Sequence, residues 1–371
     1  MSPDRPAVDR TQLRIEPMKK NDTLSIKDIA RSAQVSHSTV SRALRNSPLV
    51  NAATAARIRR IAVESNFRVS AVGRSLATGR TNSIGVVVSS ISDPFIAEVV
   101  GGLEEVTSAR GYSLILATSQ GDPEREIKMV RTFEERRVDG VVLTGGSHLG
   151  PGYAPLIAGM NIPVVVMNGQ RTAIFAYSVA VDNVAAGHAA VRFLAQLGHR
   201  RIAYIGDRSG CESNTARQTG YRQGLAAHDL PYVPELVLVG DAQPESGLLA
   251  MEQLLSLVEP PTAVFCYDDL TALGALSAIT RRHLRVPEDI SVVGFDDLLI
   301  ASYTQPPLTT IRQPKRQMGQ LAGETLFNLL AGTRPPNTRR LPTELIVRES
   351  TAPPPKESRA GSAFRVPGSG F

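Results

Sequence analysis

Residues 24–44 read Leu-Ser-Ile-Lys-Asp-Ile-Ala-Arg-Ser-Ala-Gln-Val-Ser-His-Ser-Thr-Val-Ser-Arg-Ala-Leu, and this stretch decides the fold of the first part of the chain. Ser25 and Asp28 have the spacing of a capping box, which is typical of a helix start. Apolar residues then recur on one helix face, at Ile26, Ile29, Ala30 and Ala33. After a break at Gln34, a second cap at Ser36 precedes another short amphipathic helix. Two short helices joined by a tight turn indicate a helix-turn-helix.

A third helix and the charge distribution point to the partner of this segment. Apolar residues at Ile58, Ile61 and Ala62 predict a helix after Asn51 that faces the first two. Residues 1–80 hold 15 Lys and Arg against 6 Asp and Glu, whereas the remaining residues hold 26 against 29. A basic head on a slightly acidic body indicates contact with a polyanion, and nucleic acid is the first candidate. A solvated basic tail is the alternative.

From Ser83 onward, short β-branched runs alternate with longer amphipathic helices. The predicted strands are Ile84–Val88, Ser113–Ala117, Gly140–Leu143, Pro163–Met167, Ile202–Ile205, Leu236–Val239, Ala263–Cys266 and Ser291–Gly294. Strict alternation predicts parallel sheets with helices on both faces, and about ten strands favour two sheets over one. The expected fold is therefore an all-α helix-turn-helix head and an α/β body of two doubly wound lobes. Ligands of such bodies bind where loops leave the carboxyl ends of the strands, here in the cleft.

Composition excludes several classes of protein. At 371 residues with 42% hydrophobic residues, the chain is globular and has more than one domain. Because no apolar run reaches the roughly 20 residues of a membrane span and the first residues lack a secretory-signal pattern, we expect a cytoplasmic protein that does not enter the membrane. Cys211 and Cys266 are too few for a disulfide framework and are expected to be free thiols.

No motif of a common enzyme class is present. The chain lacks the dinucleotide, P-loop, nucleophile-elbow and zinc-protease motifs, and its six histidines have no metal-ligand spacing. The glycine-rich stretch 145–150 follows a strand but lacks the phosphate-binding lysine. The Asp268-Asp269 and Asp296-Asp297 doublets point different ways if each begins a helix or turn. We therefore expect no catalytic site, no metal and no cofactor.

The stretch 24–44 resembles the DNA-binding head of the LacI/GalR family of bacterial transcription regulators. Further landmarks of that family follow in order: Arg74-Ser-Leu-Ala-Thr-Gly-Arg-Thr81, Ser83-Ile-Gly-Val-Val-Val, Val138-Asp-Gly-Val, Val181-Asp-Asn, Leu197-Gly-His-Arg-Arg-Ile-Ala-Tyr204, Pro261-Thr-Ala-Val-Phe, Val286-Pro-Glu-Asp-Ile-Ser-Val-Val-Gly-Phe-Asp296 and Leu308-Thr-Thr-Ile. The resemblance implies a body like the type I periplasmic binding proteins. It also implies a homodimer that binds double-stranded, palindromic operator DNA under the control of a small-molecule effector.

The second helix carries the expected base contacts. His37, Ser38 and Arg42 lie on its outward, N-terminal side, where side chains reach base edges in the major groove. Arg42 can bond guanine O6 and N7 with both arms of its guanidinium, whereas Ser36 and Thr39 are short donors suited to phosphates or caps. The family usually has Gly where this chain has Gln34, so we expect strain in the turn.

The segment Arg74–Thr81 resembles the hinge of the family. In that family the hinge folds when two copies meet on DNA, and a leucine at the position of Leu76 wedges into the minor groove. The resemblance places Arg74 at the DNA as well. Gly73 stands where the family often has Ala, which makes the hinge helix harder to order. A linker residue that packs on the body is the alternative for Leu76.

Candidate effector contacts are predicted at the cleft. Asp93 accepts hydrogen bonds from hydroxyls, and Phe95 offers an apolar face. Arg217 matches a family arginine that grips the effector, Asp268 stands where the family often has Asn, and Asp296 ends a strand. Carboxylates and a guanidinium suit a polyhydroxylated or sugar-acid ligand. The absence of Trp argues against a stacked sugar ring, and capping or loop bracing is the alternative for each residue.

Two neighbouring residues receive structural roles. Asp269 is predicted to cap the helix that starts at Leu270, and His199 to brace the turn after Gly198. The predicted domains are a disordered leader (1–22), the head (23–68), the hinge (69–81), the body (82–351, with one lobe at 82–182 and 313–340 and the other at 183–310 and 341–351) and a disordered tail (352–371).

The function expected from these features is repression of transcription by an effector-controlled dimer. An activator or a corepressor-dependent repressor is the alternative within DNA binding. A solute-binding protein or a sugar-modifying enzyme on the same body fold is the alternative from other classes. The first would lack the basic head, and the second would need a catalytic constellation.

Overall fold

The computed structural model describes residues 25–65, 67, 75, 79–144, 153–160, 162–168, 176–208 and 211–355. The chain divides into two compact units, Met1–Gly79 and Arg80–Phe371. None of the helices in the described ranges has the length and apolar character needed to cross a membrane.

The described part of the first unit contains the helices α1 (Ile26–Ser32), α2 (His37–Leu44) and α3 (Ala52–Glu64). Ser25 and Asp28 form the predicted capping box, and Ser36 and Asn51 cap the next two helices through their side chains. The helices share one core, built on Ile29, Ala30, Ala33, Val40, Ala43, Ala55 and Ile58. The predicted helix-turn-helix and third helix are confirmed.

Gln34 lies in the turn between α1 and α2 with φ of +50°. This left-handed conformation costs a residue with a Cβ roughly 1–2 kcal/mol relative to Gly. The expected strain in the turn is therefore present, and the helices on either side accommodate it.

The second unit contains twelve strands within the described residues. They are β1 (Ser83–Val88), β2 (Ser113–Thr118), β3 (Gly140–Thr144), β4 (Val164–Met167), β5 (Ser178–Val181), β6 (Ile202–Asp207), β7 (Val237–Gly240), β8 (Ala263–Cys266), β9 (Ser291–Asp296), β10 (Thr309–Arg312), β11 (Thr338–Leu341) and β12 (Glu344–Ile346). All eight predicted strands are found within two residues of their expected bounds. The sequence patterns missed β5, β10, β11 and β12.

Two six-stranded sheets result, with the orders β11-β5-β4-β3-β1-β2 and β12-β10-β9-β8-β6-β7. Every pair is parallel except β10 with β12. We call the units built on these sheets the first lobe and the second lobe. The predicted fold class, a helical head with two doubly wound lobes, is confirmed.

In the described part of the second unit, eight further helices cover the sheets. They are α4 (Pro94–Ser108), α5 (Pro123–Glu135), α6 (Tyr153–Gly159), α7 (Asn183–Gln196), α8 (Glu212–Ala226), α9 (Pro244–Leu255), α10 (Asp269–Arg281) and α11 (Lys315–Leu330). Apolar clusters fill both faces of each sheet, with α4 and α11 on one face of the first lobe and α7 and α8 on one face of the second. A Cβ at Gly187 would lie 2.5 Å from the carbonyl oxygen of Arg217. The backbones of α7 and α8 therefore touch, next to a predicted effector residue.

The chain passes between the lobes three times. It leaves β5 for α7 at Asp182 and Asn183, leaves β10 for α11 around Gln313 and Pro314, and leaves β11 for β12 at Pro342 and Thr343. Because each connection directly follows the end of a strand and leads to the other lobe, it borders the cleft between the lobes.

The packed chain continues beyond the predicted start of the tail. The amide of Ala352 donates to Ser291 Oγ at 3.0 Å, and its carbonyl accepts from the buried ring of His199 at 2.8 Å. His199 also bonds Thr262 Oγ1 at 2.9 Å. The prediction that disorder begins at residue 352 is wrong, because the order reaches at least Pro355. His199 ties the second sheet to this segment instead of bracing only its own turn.

The remaining domain boundaries stay predictions. The leader 1–22 and residues 356–371 lie outside the described residues, as does most of the hinge. Both cysteines are buried free thiols, as expected.

Candidate functional site

The second helix of the head presents its predicted base contacts outward. His37, Ser38 and Arg42 are exposed, whereas Val40 and Ala43 on the opposite face are buried. The helical period explains this separation: Ser38 and Arg42, four residues apart, share the exposed face, and Val40 and Ala43, three residues apart, share the buried one. The exposed face is thus free to enter a groove of DNA.

Three hydroxyls meet at the start of this helix. Ser36 Oγ accepts from the amide of Thr39 at 3.2 Å and lies 2.8 Å from both Ser38 Oγ and Thr39 Oγ1. The capping role predicted for Ser36 is confirmed. Its neighbours keep donor capacity, because a hydroxyl offers one donor and two acceptor positions.

Arg42 differs from its neighbouring arginines in having no side-chain hydrogen bond to another described residue. Arg45 bonds Ser41, Arg31 pairs with Asp28, and Arg59 bonds Asn46. The guanidinium of Arg42 can therefore present both arms to one acceptor pair without breaking an existing contact. Arg74, Leu76 and Gly73 lie outside the described residues.

In the body, Arg217 is the centre of the predicted effector site. It lies on α8, not at a strand end, and its side chain is 3% exposed. Its Nε donates to Asn183 Oδ1 at 3.0 Å, and one terminal nitrogen donates to the carbonyl of Tyr267 at 2.5 Å. The guanidinium carbon lies 3.6 Å from the ring centroid of Phe295 and 4.5 Å from that of Tyr267. Two aromatic faces and two hydrogen bonds hold this cation in place.

Asp296 ends β9 beside Arg217. One of its carboxylate oxygens accepts from Gln313 Nε2 at 2.6 Å and lies 3.8 Å from a terminal nitrogen of Arg217. The other polar atom of this amide, Gln313 Oε1, is buried with no hydrogen-bond partner among the described residues. Burial raises the pKa of Asp296 to about 6 against the attraction of Arg217. The Oε1 atom of Gln313 can therefore accept a hydrogen bond from a ligand.

Asp268, predicted to contact the effector, also takes the capping role that was predicted for Asp269. Asp268 is the N-cap of α10 and accepts from the amide of Thr271 at 2.7 Å. Asp269 instead accepts from the amide of Leu298 at 2.7 Å and the hydroxyl of Thr310 at 2.6 Å. The capping prediction for Asp269 is wrong because Asp268 is the last extended residue, whereas Asp269 has already entered the helix. Burial, together with the charge of Asp296, raises the pKa of Asp268 to about 7.

The first lobe contributes Asp93 and Phe95 at the start of α4. Asp93 is the N-cap and accepts from the amide of Phe95 at 2.9 Å. Burial raises the pKa of Asp93, and its charge in turn contributes to the raised pKa of Asp296. The two carboxylates, one on each lobe, therefore influence each other electrostatically across the cleft. Phe95 is 8% exposed and packs in the core of the first lobe, so little of its ring faces the cleft.

A polar cavity of about 210 Å³ adjoins this cluster. It lies between the ends of β4 and β5 and the first turns of α7 and α8, and its lining includes Asn168, Asp182, Asn183, Ser213 and Arg340. Asn183 also holds Arg217, and Ser213 Oγ lies 3.0 Å from the hydroxyl of Tyr267. The Oδ1 atom of Asn168 is buried without a hydrogen-bond partner among the described residues.

Sequence reasoning missed Asn183 and Gln313. Asn183 was visible in the stretch Val181-Asp-Asn, but its bond to Arg217 joins residues 34 positions apart. No local pattern marks Gln313. Within the described ranges, no group of three or more His, Cys, Asp and Glu residues has the arrangement of a metal site.

Fold and site together define an allosteric transcription regulator: a helix-turn-helix head joined to a two-lobed body with a polar cleft. Residues 25–70 match the family described as bacterial regulatory proteins, lacI family, and residues 191–351 match the periplasmic binding protein-like domain. The chain is 36% identical over 328 residues to the ribose operon repressor of Haemophilus influenzae, covering 88% of this chain and 98% of that protein.

Two other proteins extend the comparison. The HTH-type transcriptional repressor CytR of Escherichia coli strain K12 is 36% identical over 336 residues, covering 90% of this chain and 98% of the relative. A lac repressor dimer bound to operator and the anti-inducer ONPF superposes with a TM-score of 0.79 at 28% identity, covering 89% of this chain and 99% of that one. The chain belongs to the lacI family of bacterial regulatory proteins, and it is a DNA-binding regulator of transcription.

Proposed function

We propose that this chain is a homodimeric repressor whose affinity for a palindromic operator is set by a small polar molecule bound between the lobes. The observation that carries the proposal is the buried cluster of Arg217, Asp268 and Asp296 in the second lobe. The charge of Asp93, the half-buried N-cap of α4 in the first lobe, acts on Asp296 across the cleft. A ligand held from both sides favours one separation of the lobes over another. Such differential affinity is what a conformational change requires.

The donor and acceptor groups of the cluster favour a ligand rich in hydroxyls. Asp93, Asp296 and Gln313 Oε1 accept hydrogen bonds, and Gln313 Oε1 has no partner among the described residues. Arg217 donates one N–H to Asn183 and one to the carbonyl of Tyr267, and its charge is already offset by the Asp296 carboxylate 3.8 Å away. Because the cluster also contains the carboxylates of Asp93 and Asp268, a neutral polyhydroxylated molecule fits better than a sugar acid, the other candidate from the sequence.

The DNA side of the proposal rests on the head and the hinge. We assign Arg42, His37 and Ser38 to base edges and Ser36 and Thr39 to phosphates, with Arg74 and Leu76 at the minor groove. The lac repressor bound to its operator as a dimer supports two copies per site. A DNA partner also supports a cytoplasmic location.

An activator, or a repressor that needs a corepressor, is the rival within the same family. Repression by occlusion is favoured because the relatives described above are repressors. A solute-binding protein shares the architecture of the body but has no use for the exposed basic head. An enzyme would need a catalytic constellation, and the carboxylates of the cleft are engaged in helix caps and hydrogen bonds.

The decisive experiment is a gel shift with a DNA fragment from the chain's own promoter, with and without pooled metabolites, on wild type and Arg217→Ala. Loss of a charge-assisted contact of roughly 1.5–3 kcal/mol predicts a tenfold to hundredfold weaker response to the metabolite. With the metabolite present, Arg217→Ala should stay bound to the operator if the metabolite is an inducer. It should fail to bind the operator if the metabolite is a corepressor.

Arg222→Ala is the matched control. Arg222 lies on the same helix, but it is exposed and bonds the hydroxyl of Tyr232, away from the cluster. This variant should respond to the metabolite as wild type does. An unchanged response in Arg217→Ala would remove Arg217 from the effector site.

A further inference from the structure

Lys315, the first residue of α11, has a buried ammonium group at the edge of the cleft. The side chain is 5% exposed. Its Nζ donates to the carbonyl of Asp296 at 2.7 Å and to that of Asp297 at 2.6 Å, and it lies 3.3 Å from Glu98 Oε1. Two of the three donors of this ammonium are thus used by carbonyls, and Glu98 balances its charge.

Without those partners, a charged ammonium at this position would destabilise the folded protein. A cation at the start of a helix faces the positive end of the helix dipole, and burial adds a desolvation cost. The two carbonyls belong to residues with positive φ, +107° at Asp296 and +53° at Asp297. Residues other than Gly seldom adopt this conformation unless their surroundings hold them in it. Lys315 supplies such a constraint at both positions.

The three partners of Lys315 lie on both sides of the cleft. Asp296 is the last residue of the strand β9 of the second lobe and Asp297 follows it, whereas Glu98 lies on α4 of the first lobe. Helix α11 itself packs in the core of the first lobe. Asp93 is the N-cap of the same helix that carries Glu98. The ammonium of Lys315 thus connects the backbone of Asp296 to α4, the helix that Asp93 caps.

We propose that Lys315 is a positioning residue of the cleft, which fixes the separation of the Asp93 and Asp296 carboxylates without touching either one. The assignment of these carboxylates to the effector rests on the proposed function. The mechanical claim does not, because it concerns the separation of the lobes in the free protein. Gln313 contributes from the same connection by holding the carboxylate of Asp296, whereas Lys315 holds its backbone.

The test measures the distance between the lobes by pulsed electron paramagnetic resonance on the full chain without DNA or ligand. Spin labels are placed through Lys128→Cys on α5 and Gln253→Cys on α9, two exposed positions on different lobes. Labelled chains are diluted with unlabelled chains so that each dimer carries one labelled pair. The parent chain without these two cysteines reports any labelling of Cys211 and Cys266.

In this background Lys315→Met removes the ammonium and keeps the length of the side chain. We expect the mean distance to shift, or its distribution to broaden, by roughly 1–2 Å or more, the scale of small lobe motions. Arg316→Met is the matched control, because the adjacent Arg316 pairs with Glu105 inside the first lobe. Its distribution should match that of wild type.

Two results would overturn the proposal: unchanged distances in Lys315→Met, or the same change in Arg316→Met. If Lys315→Met does not fold, Glu98→Gln replaces it, since this variant keeps both carbonyl contacts and loses only the charge on the first lobe. A distribution shifted in Glu98→Gln supports the proposal, and one identical to wild type refutes it. Absence of any operator or metabolite response would refute the proposed function and leave this measurement standing.

Discussion

Arg217 and Asp296 form an ion pair without a hydrogen bond, since the terminal nitrogen and the carboxylate oxygen lie 3.8 Å apart. The rings of Phe295 and Tyr267 and the bond to Asn183 keep the guanidinium from closing this gap. A ligand hydroxyl placed beside both groups can accept from Arg217 and donate to Asp296. The incomplete pair therefore provides a place in the cleft for a ligand hydroxyl.

Asp268→Asn should stabilise the protein, and the gain should grow with pH. Burial and the charge of Asp296 raise the pKa of Asp268 from 3.8 to about 7, with Asp269 and Arg217 also nearby. Because the folded state binds this proton more tightly than the unfolded state, the free energy of unfolding falls as pH rises from about 4 through about 7. Asn keeps the helix cap and has no charge to bury.

The measurement is the unfolding temperature at pH 5 and pH 8. The gain of Asp268→Asn at pH 8 should exceed that at pH 5, by an amount on the order of a few kcal/mol in the free energy of unfolding. Asp182→Asn is the control, because Asp182 also caps a helix but is half exposed. Equal gains at both pH values would show that Asp268 is not held in its neutral form by the fold.

Arg42→Ala should separate specific from general binding to DNA. A bidentate contact to guanine is worth about 1–3 kcal/mol of discrimination, so operator binding should weaken by that amount and binding to random DNA much less. Fluorescence anisotropy on both duplexes at one salt concentration measures the two losses. Arg60→Ala, which removes an exposed arginine paired with Glu64 on α3, is the comparison variant. Equal losses on both duplexes in Arg42→Ala would contradict the base-edge assignment.

Gln34→Gly should stabilise the head. Its φ of +50° is free of strain only for Gly, although Gly also increases the entropy of the unfolded chain. The free energy of unfolding of the head should rise by about 0.5–1 kcal/mol. It is measured from the thermal unfolding transition of the head in the full chain. Ala33→Gly next to it, where φ is −87°, should destabilise the head instead. A loss of stability in Gln34→Gly would mean that the side chain makes a contact worth more than the strain.

Truncation should distinguish the packed from the dispensable part of the C-terminal segment. A chain ending at Pro355 should unfold at the same temperature as the full chain and keep the mass of a dimer. A chain ending at Thr351 removes the carbonyl that accepts from His199 and the amide that donates to Ser291, so it should lose about 1–3 kcal/mol. Identical stability of the two truncated chains would show that Ala352 contributes nothing.

Six of the eight strands that the sequence patterns revealed are mostly buried, such as Ser83–Val88, whereas β2 and β7 are partly exposed. The missed strands carry weaker signals. Thr338–Leu341 has two arginines and pairs only at the edge of its sheet, and Glu344–Ile346 has three residues. Their conformation depends on a neighbouring strand far away in the chain, which no local period encodes.

The candidate site, like the strands, was predictable only where a local pattern marks its residues. Asp93, Asp268 and Asp296 follow strands, and the rule that parallel sheets bind ligands at carboxyl ends locates them. Lys315 carried no such mark, because its role exists only where β9, α4 and α11 meet. The sequence also could not decide whether Asp268 or Asp269 caps α10. A shift of one residue in the helix start determines which carboxyl group accepts from the helix amides.

The three passages of the chain between the lobes limit how this protein can be recombined. Each lobe is assembled from separate pieces of sequence, with Thr338–Leu341 completing the first sheet and Glu344–Ile346 the second. A chimera with one foreign junction can exchange the head, which is one continuous segment. Exchange of a single lobe requires several junctions at once, each placed at the rim of the cleft. We therefore expect recombination to transfer the body whole and new ligand preferences to arise by point substitution within it.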